Sequence, residues 1–474
     1  MVLLLNLKIF LSCYSFSYSR LILHGNNMKV ISFVLLSATL SLASAAGGIV
    51  KIEGVEEPID FITFDSELNI YAVRHVSPNM TYFSSTIYKI NFEREILWTL
   101  DLDSYIVKIS INNQNDAFVF TALPDEEIIG RTTVNLIRAG SSIMEELDTV
   151  TYPVYDFIDK EGNLFYSSVD GGVKIIRPNE NIPVMITGTE NFQIFYIYKS
   201  TMMDDKDGNV YLGGCVNGPS DPSYNNCLNT TAEAQIIRIT AEEIQKVNPK
   251  AEIVNNILQD PKSEFVMQIL TTGNDVIITT ATLEENSIGT IWVLRNNTAN
   301  VLLLEEGLHI GEAAKDKIIF HSSSELEDND RCKIFYSTSN LELMPITNLQ
   351  DIDGSCLSMI FQVDQIGNFF IGSHSVINTS TVEFLKHGES QTVGIRFKDE
   401  INWVQSMAID GNGYLWLLDA WGTLFYVPKG TVEGEKIFDS TGLNLHELKR
   451  NEFSNEIFAY GNGHGIGLYV IVPY

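Results

Sequence analysis

The chain has 474 residues, of which 45% are apolar, and it carries 31 Lys and Arg against 60 Asp and Glu, for a net charge of −29. This apolar content suffices for an extensive core, and so acidic a surface repels phosphate backbones and anionic lipid headgroups. We therefore exclude nucleic acid and membranes as partners, and we expect a soluble protein whose partner is a small molecule or a basic protein.

The N-terminal segment has the features of a secretory leader. A second start, Met28, is followed by a basic residue, a mostly apolar stretch and the small residues Ala43-Ser44-Ala45, which is the order of regions in a signal peptide. We predict that residues 1–45 are a leader with the true start at Met28, and that the secreted, extracellular chain begins near Ala46. Residues 1–27 are then an upstream start or an extended leader. The apolar stretch is short for the alternative, a transmembrane anchor.

A carboxylate turn followed by an aromatic residue recurs along the rest of the chain. Gly and Asn tolerate positive φ and Asp hydrogen-bonds its own backbone, so each copy predicts a strand, a tight turn and a second strand. Two successive pairs of copies are 46 residues apart, a spacing typical of the blades of a β-propeller. The clear copies span Asp65–Tyr71, Asp159–Phe165, Asp205–Tyr211, Asp364–Phe370 and Asp410–Trp416.

Weaker copies begin at Asn112, Thr271, Ala313 and Glu452, and together with the clear copies they make nine starts. Propellers typically have about four to eight blades. We therefore predict an all-β chain with a single propeller of about eight four-stranded blades, within a range of seven to nine. The apolar stretch Gly48–Ile52 is placed to complete the last blade, so we expect an N-terminal strand to close the ring.

One domain accounts for residues 46–474, and we expect it to be monomeric. The longest interval between starts, 66 residues after Asp205, holds an insertion around residues 213–255. Within that insertion, Thr240-Ala241-Glu242-Glu243 has the pattern of a capping box and predicts a short helix.

Four cysteines remain once the leader is removed, and they are paired locally in the sequence. We predict disulfides between Cys215 and Cys227 and between Cys332 and Cys356, because a secreted chain meets an oxidising compartment. Neither pair has the spacing of a zinc knuckle or a redox dithiol. Four sequons predict N-glycosylation, at Asn79, Asn229, Asn296 and Asn378.

The Asp-x-x-Gly-Asn-x-aromatic phrase resembles the NHL repeats and the metal-dependent lactonases of the senescence-marker/gluconolactonase family. That resemblance implies a channel in which residues five positions before each turn acid, in Pro-Asn-Gly or Pro-Asp-Gly entries, bind one divalent cation. No such entry occurs here, and only two of the nine equivalent positions are acidic, Asp60 and Glu447. We therefore predict no bound metal and no cofactor, with calcium reserved for the lactonase alternative.

Other catalytic signatures are also missing from the sequence. It contains no Gly-x-Ser-x-Gly elbow, no His-Glu-x-x-His helix and no phosphate-binding loop, so the prediction leans away from an enzyme without excluding one. The channel positions suit a planar or amphipathic molecule better than a metal-activated water. The predicted ligand-binding residues are Asp60, Ser200, Met359, Gln405 and Glu447.

Two strand motifs carry a second resemblance. Gly413-Tyr414-Leu415-Trp416 and the following Gly422-Thr423-Leu424-Phe425-Tyr426 resemble insect ommochrome-binding proteins, which are secreted carriers of a tryptophan-derived pigment. This implies a secreted carrier for a small aromatic or amphipathic ligand, which is our first hypothesis. The alternatives are a metal-dependent lactonase or esterase, and an extracellular propeller that recognises a basic protein.

Overall fold

The computed structural model describes a propeller within the unit Ile49–Ile471. No helix among the described residues has the length and apolarity needed to cross a membrane. The described residues are 48–472, apart from 56, 80–81, 123–129, 152–153, 169, 195–200, 218–226, 228–231, 255–256, 259, 273–274, 283–287, 296–297, 307, 315–316, 324–332, 338–342, 347–359, 373–381, 439–444 and 462–466.

Nine sheets follow one another along the described chain, and each is one blade. Strand β1 (Gly48–Lys51) comes first in sequence and belongs to the last blade. Blade 1 consists of β2 (Phe61–Phe64), β3 (Ile70–Asn79), β4 (Tyr82–Ile90) and β5 (Ile96–Leu102). Blade 2 consists of β6 (Tyr105–Ile111), β7 (Ala117–Ala122), β8 (Arg131–Ile137) and β9 (Met144–Thr151). Blade 3 consists of β10 (Val154–Ile158), β11 (Leu164–Ser168), β12 (Val173–Ile176) and β13 (Val184–Met185).

The next three blades continue the pattern. Blade 4 consists of β14 (Gln193–Ile194), β15 (Met202–Asp204), β16 (Val210–Val216), β17 (Glu233–Ile239) and β18 (Glu252–Ile253), with helix α1 (Ala241–Ile244) before its last strand. Blade 5 consists of β19 (Glu264–Thr272), β20 (Asp275–Thr282), β21 (Ile288–Arg295) and β22 (Thr298–Glu306). Blade 6 consists of β23 (Leu308–Ala314), β24 (Lys317–Ser323), β25 (Lys333–Ser337) and β26 (Leu343–Pro345).

The last three blades complete the ring. Blade 7 consists of β27 (Ile360–Val363), β28 (Phe369–Gly372), β29 (Val382–Leu385) and β30 (Val393–Gly394). Blade 8 consists of β31 (Arg396–Phe397), β32 (Val404–Ile409), β33 (Leu415–Asp419), β34 (Leu424–Val427) and β35 (Glu433–Phe438), with β31 parallel to β35. Blade 9 consists of β36 (Glu447–Arg450), β37 (Ile457–Tyr460) and β38 (Tyr469–Val472), and β1 completes it at the edge of β38.

The structure confirms an all-β propeller closed by its N-terminal strand. Its nine blades are one more than the predicted eight and lie within the predicted range. Each of the nine repeat starts, weak copies included, falls at the end of one strand of a blade and before the next; in blades 4 and 8 these strands are β15 and β16, and β32 and β33. Each weaker copy of the repeat therefore belongs to a blade of its own.

The repeated phrase is held by its own carboxylate. In blade 4, Asp205 Oδ1 accepts hydrogen bonds from the backbone N–H groups of Asp207 and Asn209, both at 2.9 Å, and Oδ2 accepts from Asn209 Nδ2 at 2.8 Å. Gly208, between them, has φ +83°, a conformation that glycine adopts without steric cost. Asp65, Asp159 and Asp364 make the same three bonds.

The hydrophobic core lies between the blades. One cluster of buried apolar side chains fills each junction between consecutive sheets in the described chain. Between blades 9 and 1, for example, Ile62 and Ile70 pack with Phe458 and Tyr460. Because a middle strand is covered on both faces, these strands are continuously apolar, as in Leu415–Asp419 with its LWLL run.

Local predictions outside the blades have mixed outcomes. Cys215 and Cys227 form the expected disulfide, and Thr240 caps α1 by accepting a hydrogen bond from Glu243 N. Asn79 ends strand β3; its glycosylation stays a prediction. The other predicted sites lie outside the described residues: Cys332, Cys356, Asn229, Asn296 and Asn378.

We predict that Asp205→Ala lowers the free energy of unfolding by about 2–3 kcal/mol, because three donors in a tight turn lose their acceptor. Asp207→Ala is the matched control, since Asp207 is an exposed acid in the same turn, and we expect it to change stability by less than about 0.5 kcal/mol. Equilibrium urea unfolding measures both. Equal effects of the two variants would contradict the structural role given to Asp205.

Glu383 is an acid buried inside blade 7, with a side chain on β29 that is 1% exposed. Burial raises the pKa of Glu383, and a hydrogen bond with Thr392 opposes that shift. Burial makes ionisation of Glu383 harder in the folded state than in the unfolded state. As pH rises above the ordinary pKa of 4.5, ionisation therefore lowers the free energy of the unfolded chain more than that of the folded chain. Glu383 therefore lowers stability at neutral pH and not in acid.

We predict that Glu383→Gln raises the free energy of unfolding at pH 7 by about 1–2 kcal/mol, because the variant has no charge to desolvate. The gain should vanish near pH 4, where the carboxyl is neutral in both states. Urea unfolding across that pH range checks the sign, with the exposed Glu389→Gln as control. A gain that persists unchanged at pH 4 would show that ionisation is not its cause.

Candidate functional site

A cavity of about 630 Å³ opens on the channel side of four consecutive blades. It is bounded by residues 61–63 of β2, 107–111 of β6, 156–158 of β10 and Lys449 of β36. These are the first strands of blades 1, 2, 3 and 9. The inner edge of each blade, where a first strand has a partner on one side only, therefore forms the wall of the cavity.

Strand alternation brings the charged side chains to this wall. Leu448 is buried in the core between blades 8 and 9, so its neighbours in β36, Glu447 and Lys449, point to the opposite side. In β6, Ile109 is buried between blades 1 and 2. Its neighbours Lys108 and Ser110 therefore project to the other side of the strand, and both line the cavity.

Lys449 crosses from blade 9 to blade 1. Its Nζ donates a hydrogen bond to the carbonyl oxygen of Ile62 at 2.7 Å. Burial lowers the pKa of Lys449, and the positive charge of Lys108 lowers it further, against the opposing effect of Glu447 and Glu452. The amine is thus held at a backbone carbonyl, in a partly desolvated position.

Glu447, one of the predicted ligand-binding residues, is paired with Tyr460 across the β36–β37 ladder. Burial raises the pKa of Tyr460, and the charge of Glu447 and a hydrogen bond to it raise that pKa further, while the backbone of Ile62 opposes the shift. The phenol therefore stays protonated and available to Glu447. This keeps the Glu447 carboxylate on the side of β36 from which Lys449 also projects.

Asp156 joins blades 2 and 3 at the opposite wall. Its Oδ1 lies 2.7 Å from Lys108 Nζ, and its Oδ2 accepts a hydrogen bond from Ser110 Oγ at 2.5 Å. The Asp156 side chain is 4% exposed, whereas that of Lys108 is 51% exposed. Asp156 is therefore neutralised within the wall, and Lys108 remains accessible from the cavity.

The charged side chains that line the cavity are two lysines and one aspartate. This balance is opposite in sign to that of the chain as a whole, with its net charge of −29. Around these groups the wall is apolar and partly aromatic, with Phe61, Phe157 and Ile158. The arrangement can hold an acidic group at the lysines and an apolar or aromatic body against the rings.

The two predicted acids have different hydrogen-bond partners. Asp60 Oδ2 accepts a hydrogen bond from His75 N at 2.6 Å and lies 3.3 Å from His75 Nδ1. The His75 ring stacks on Tyr105 with centroids 4.1 Å apart, and its Nε2 contacts the carbonyl oxygen of Ile106 at 2.9 Å. Asp60 thus orders a contact between blades 1 and 2, whereas Glu447 is held by Tyr460 in blade 9.

The remaining predicted residues stay predictions. Gln405 is an exposed residue of β32 in blade 8, and Ser200 and Met359 lie outside the described residues.

Sequence reasoning missed Lys449, Lys108 and Asp156 because it tested only the position five before each turn. Positions five and three before a turn share one face of a strand, so testing the third finds Lys449 and Asp156. Lys108 is four positions before its turn, on the other face of β6, and neither of these positions finds it.

Within the part of the chain that the structure describes, no group of three or more His, Cys, Asp or Glu side chains is placed to hold a metal ion. The carboxylates near the cavity are each engaged by another group, Asp156 by Lys108 and Ser110, and Glu447 by Tyr460.

No protein-family model matches this sequence, and no curated protein matches it significantly. Among solved structures, it is similar to the computationally designed Ika8 protein, with a TM-score of 0.44 and 11% identity over 78% of this chain and 96% of that one. The β-propeller domain of the Trilobed protease from Pyrococcus furiosus matches with a TM-score of 0.39 and 10% identity, over 71% of this chain and 98% of that one.

Two longer peptidases also match. A puromycin-hydrolyzing peptidase of Mycobacterium tuberculosis has a TM-score of 0.40 and 10% identity over 75% of this chain, and the acylaminoacyl peptidase of Pyrococcus horikoshii has 0.39 and 10% over 75%. This chain spans only 58% and 57% of their lengths. Similarities this weak support no conclusion about activity, so function has to be argued from the cavity.

Proposed function

We propose that this protein binds a small amphipathic anion in the channel cavity between blades 9, 1, 2 and 3, and that it acts as an extracellular carrier. The observation that carries the proposal is the pair of lysines, Lys108 and Lys449, on an otherwise apolar wall of a strongly acidic chain. Such charges are costly to place by chance beside aromatic rings. They are useful where a ligand brings the opposite charge.

The size and chemistry of the cavity support a small-molecule ligand. A volume of about 630 Å³ lies within the usual range for ligand pockets, roughly 300–1,000 Å³. Phe61 and Phe157 offer rings to an aromatic body. A tryptophan-derived pigment of the ommochrome type is one ligand with these properties, in keeping with the resemblance of the Gly413–Trp416 and Gly422–Tyr426 motifs.

The Cys215–Cys227 disulfide supports an extracellular location, because disulfides persist in oxidising compartments. The lactonase alternative needs a metal ion, and the wall groups that would ligate one are occupied by neighbouring side chains. We therefore propose a binding function and no hydrolytic one.

We predict that the purified full chain binds the anionic probe 8-anilinonaphthalene-1-sulfonate at least about 10-fold more tightly than the neutral N-phenyl-1-naphthylamine, because one charge-assisted hydrogen bond contributes about 1.5–3 kcal/mol. Lys108→Gln should weaken binding of the anionic probe by about 10-fold and leave the neutral probe unchanged. Fluorescence titration measures both affinities.

Lys398→Gln is the matched control, since Lys398 is an exposed lysine 78% open to solvent in blade 8, and it should bind both probes like the parent protein. Thermal unfolding of each variant separates lost binding from lost fold. Equal affinity for the two probes, or an anionic affinity that Lys108→Gln leaves unchanged, would overturn the proposal.

A further inference from the structure

The amines of Lys449 and Lys108 have hydrogen-bond partners of different kinds. Lys108 is paired with the carboxylate of Asp156 at 2.7 Å, whereas the Nζ of Lys449 donates to the backbone carbonyl of Ile62. A carbonyl oxygen accepts a hydrogen bond from a neutral amine as well as from an ammonium ion. The contact with Ile62 therefore fixes the position of the nitrogen without requiring that it carry a charge.

The surroundings of this nitrogen disfavour the charged form. Burial and the nearby cation Lys108 both act against the ammonium of Lys449, while Glu447 and Glu452 of the same blade favour it. Glu447 is itself hydrogen-bonded to Tyr460. Desolvation in an apolar pocket is one of the ways in which lysines are activated as nucleophiles, and it is the largest effect on Lys449.

We propose that Lys449 forms a reversible imine with a small aldehyde that carries an acidic group, with Lys108 holding that group at the opposite wall. The proposal rests on the proposed function, since it uses the same cavity, and it adds the chemical class of the ligand. Both Lys449 and its hydrogen-bond acceptor Ile62 line the cavity, which places the amine at the wall that a ligand would contact.

The reaction conserves atoms and electrons without an oxidant or a reductant. The nitrogen lone pair attacks the carbonyl carbon, the C=O π electrons move to oxygen, and a proton passes from nitrogen to that oxygen to give a carbinolamine. The nitrogen lone pair then expels the hydroxyl, which takes a proton from solvent and leaves as water, and this forms the protonated C=N bond. In its protonated form the imine keeps one N–H, which donates to the carbonyl oxygen of Ile62 in place of the amine.

Reductive trapping tests whether Lys449 forms an imine with an aldehyde that carries an acidic group. The full chain is incubated with 4-formylbenzoate or with the uncharged 4-formylbenzamide in the presence of cyanoborohydride, and modified lysines are located by peptide mass spectrometry. We expect Lys449 to be trapped at least about 10-fold faster than the exposed Lys398, and 4-formylbenzoate to react about 10-fold faster than the amide. Trapping spread over lysines according to their exposure would overturn the proposal.

The pH dependence of the trapping rate distinguishes a reactive Lys449 from a lysine that has a structural role alone. Trapping at Lys449 should reach half its maximal rate below the ordinary lysine pKa of 10.5. In Lys108→Gln the midpoint should move to higher pH, because a like charge is gone, and the preference for 4-formylbenzoate should fall. A midpoint that Lys108→Gln leaves in place would contradict the assigned role of Lys108.

Binding of 8-anilinonaphthalene-1-sulfonate by the parent protein separates the imine from the binding function. In Lys449→Arg the side chain stays positively charged but forms no imine under these conditions, so trapping at position 449 should be lost while trapping at the exposed Lys398 stays as in the parent protein. If the parent protein binds that probe but Lys449 is not trapped, the imine proposal alone is wrong. If the parent protein neither binds the probe nor is trapped, the proposed function is wrong as well.

Discussion

The contact between blade 9 and blade 1 is the constraint on which the rest of the structure depends. Blade 9 is assembled from both ends of the described chain, because β1 adds to the edge of β38. This places Phe458 and Tyr460 against Ile62 and Ile70 in one buried cluster. An open ring would leave an apolar face on each of these two blades in water, so closing it removes the last large apolar surfaces from solvent.

The candidate site is a product of that closure. Lys449 reaches the carbonyl oxygen of Ile62 across the junction, and Tyr460 contacts both Glu447 and the Ile62 backbone at the same place. On the far side of the cavity, Asp156 ties blade 3 to blade 2 through Lys108 and Ser110. The polar groups of the wall therefore satisfy the inner edges of neighbouring blades and at the same time set the charge that a ligand meets.

The charge at the cavity wall differs in sign from the net charge of the chain. A net charge of −29 predicts a surface that attracts cations. At the cavity, however, Asp156 is paired with Lys108 and Ser110, and two lysines line the wall. The charged side chains that line the cavity are therefore opposite in net sign to the chain as a whole.

The sequence by itself determined the repeating unit. The Asp and Gly-Asn turns follow from local backbone chemistry, in which one carboxylate bonds N–H groups two and four residues away, so the nine starts were correct without any knowledge of the fold. The local cysteine pair Cys215–Cys227 and the cap at Thr240 are short-range in the same sense.

Only the tertiary structure decided the site. Lys108 and Asp156 lie on strands of neighbouring blades, and only the packing of those blades brings them together. The partners of Asp60 and Glu447, which are His75 and Tyr460, also come from other strands. The physical reason is that a turn is set by residues within five positions of one another, whereas the cavity joins side chains nearly 400 residues apart, as in Lys449 and Ile62 with a separation of 387.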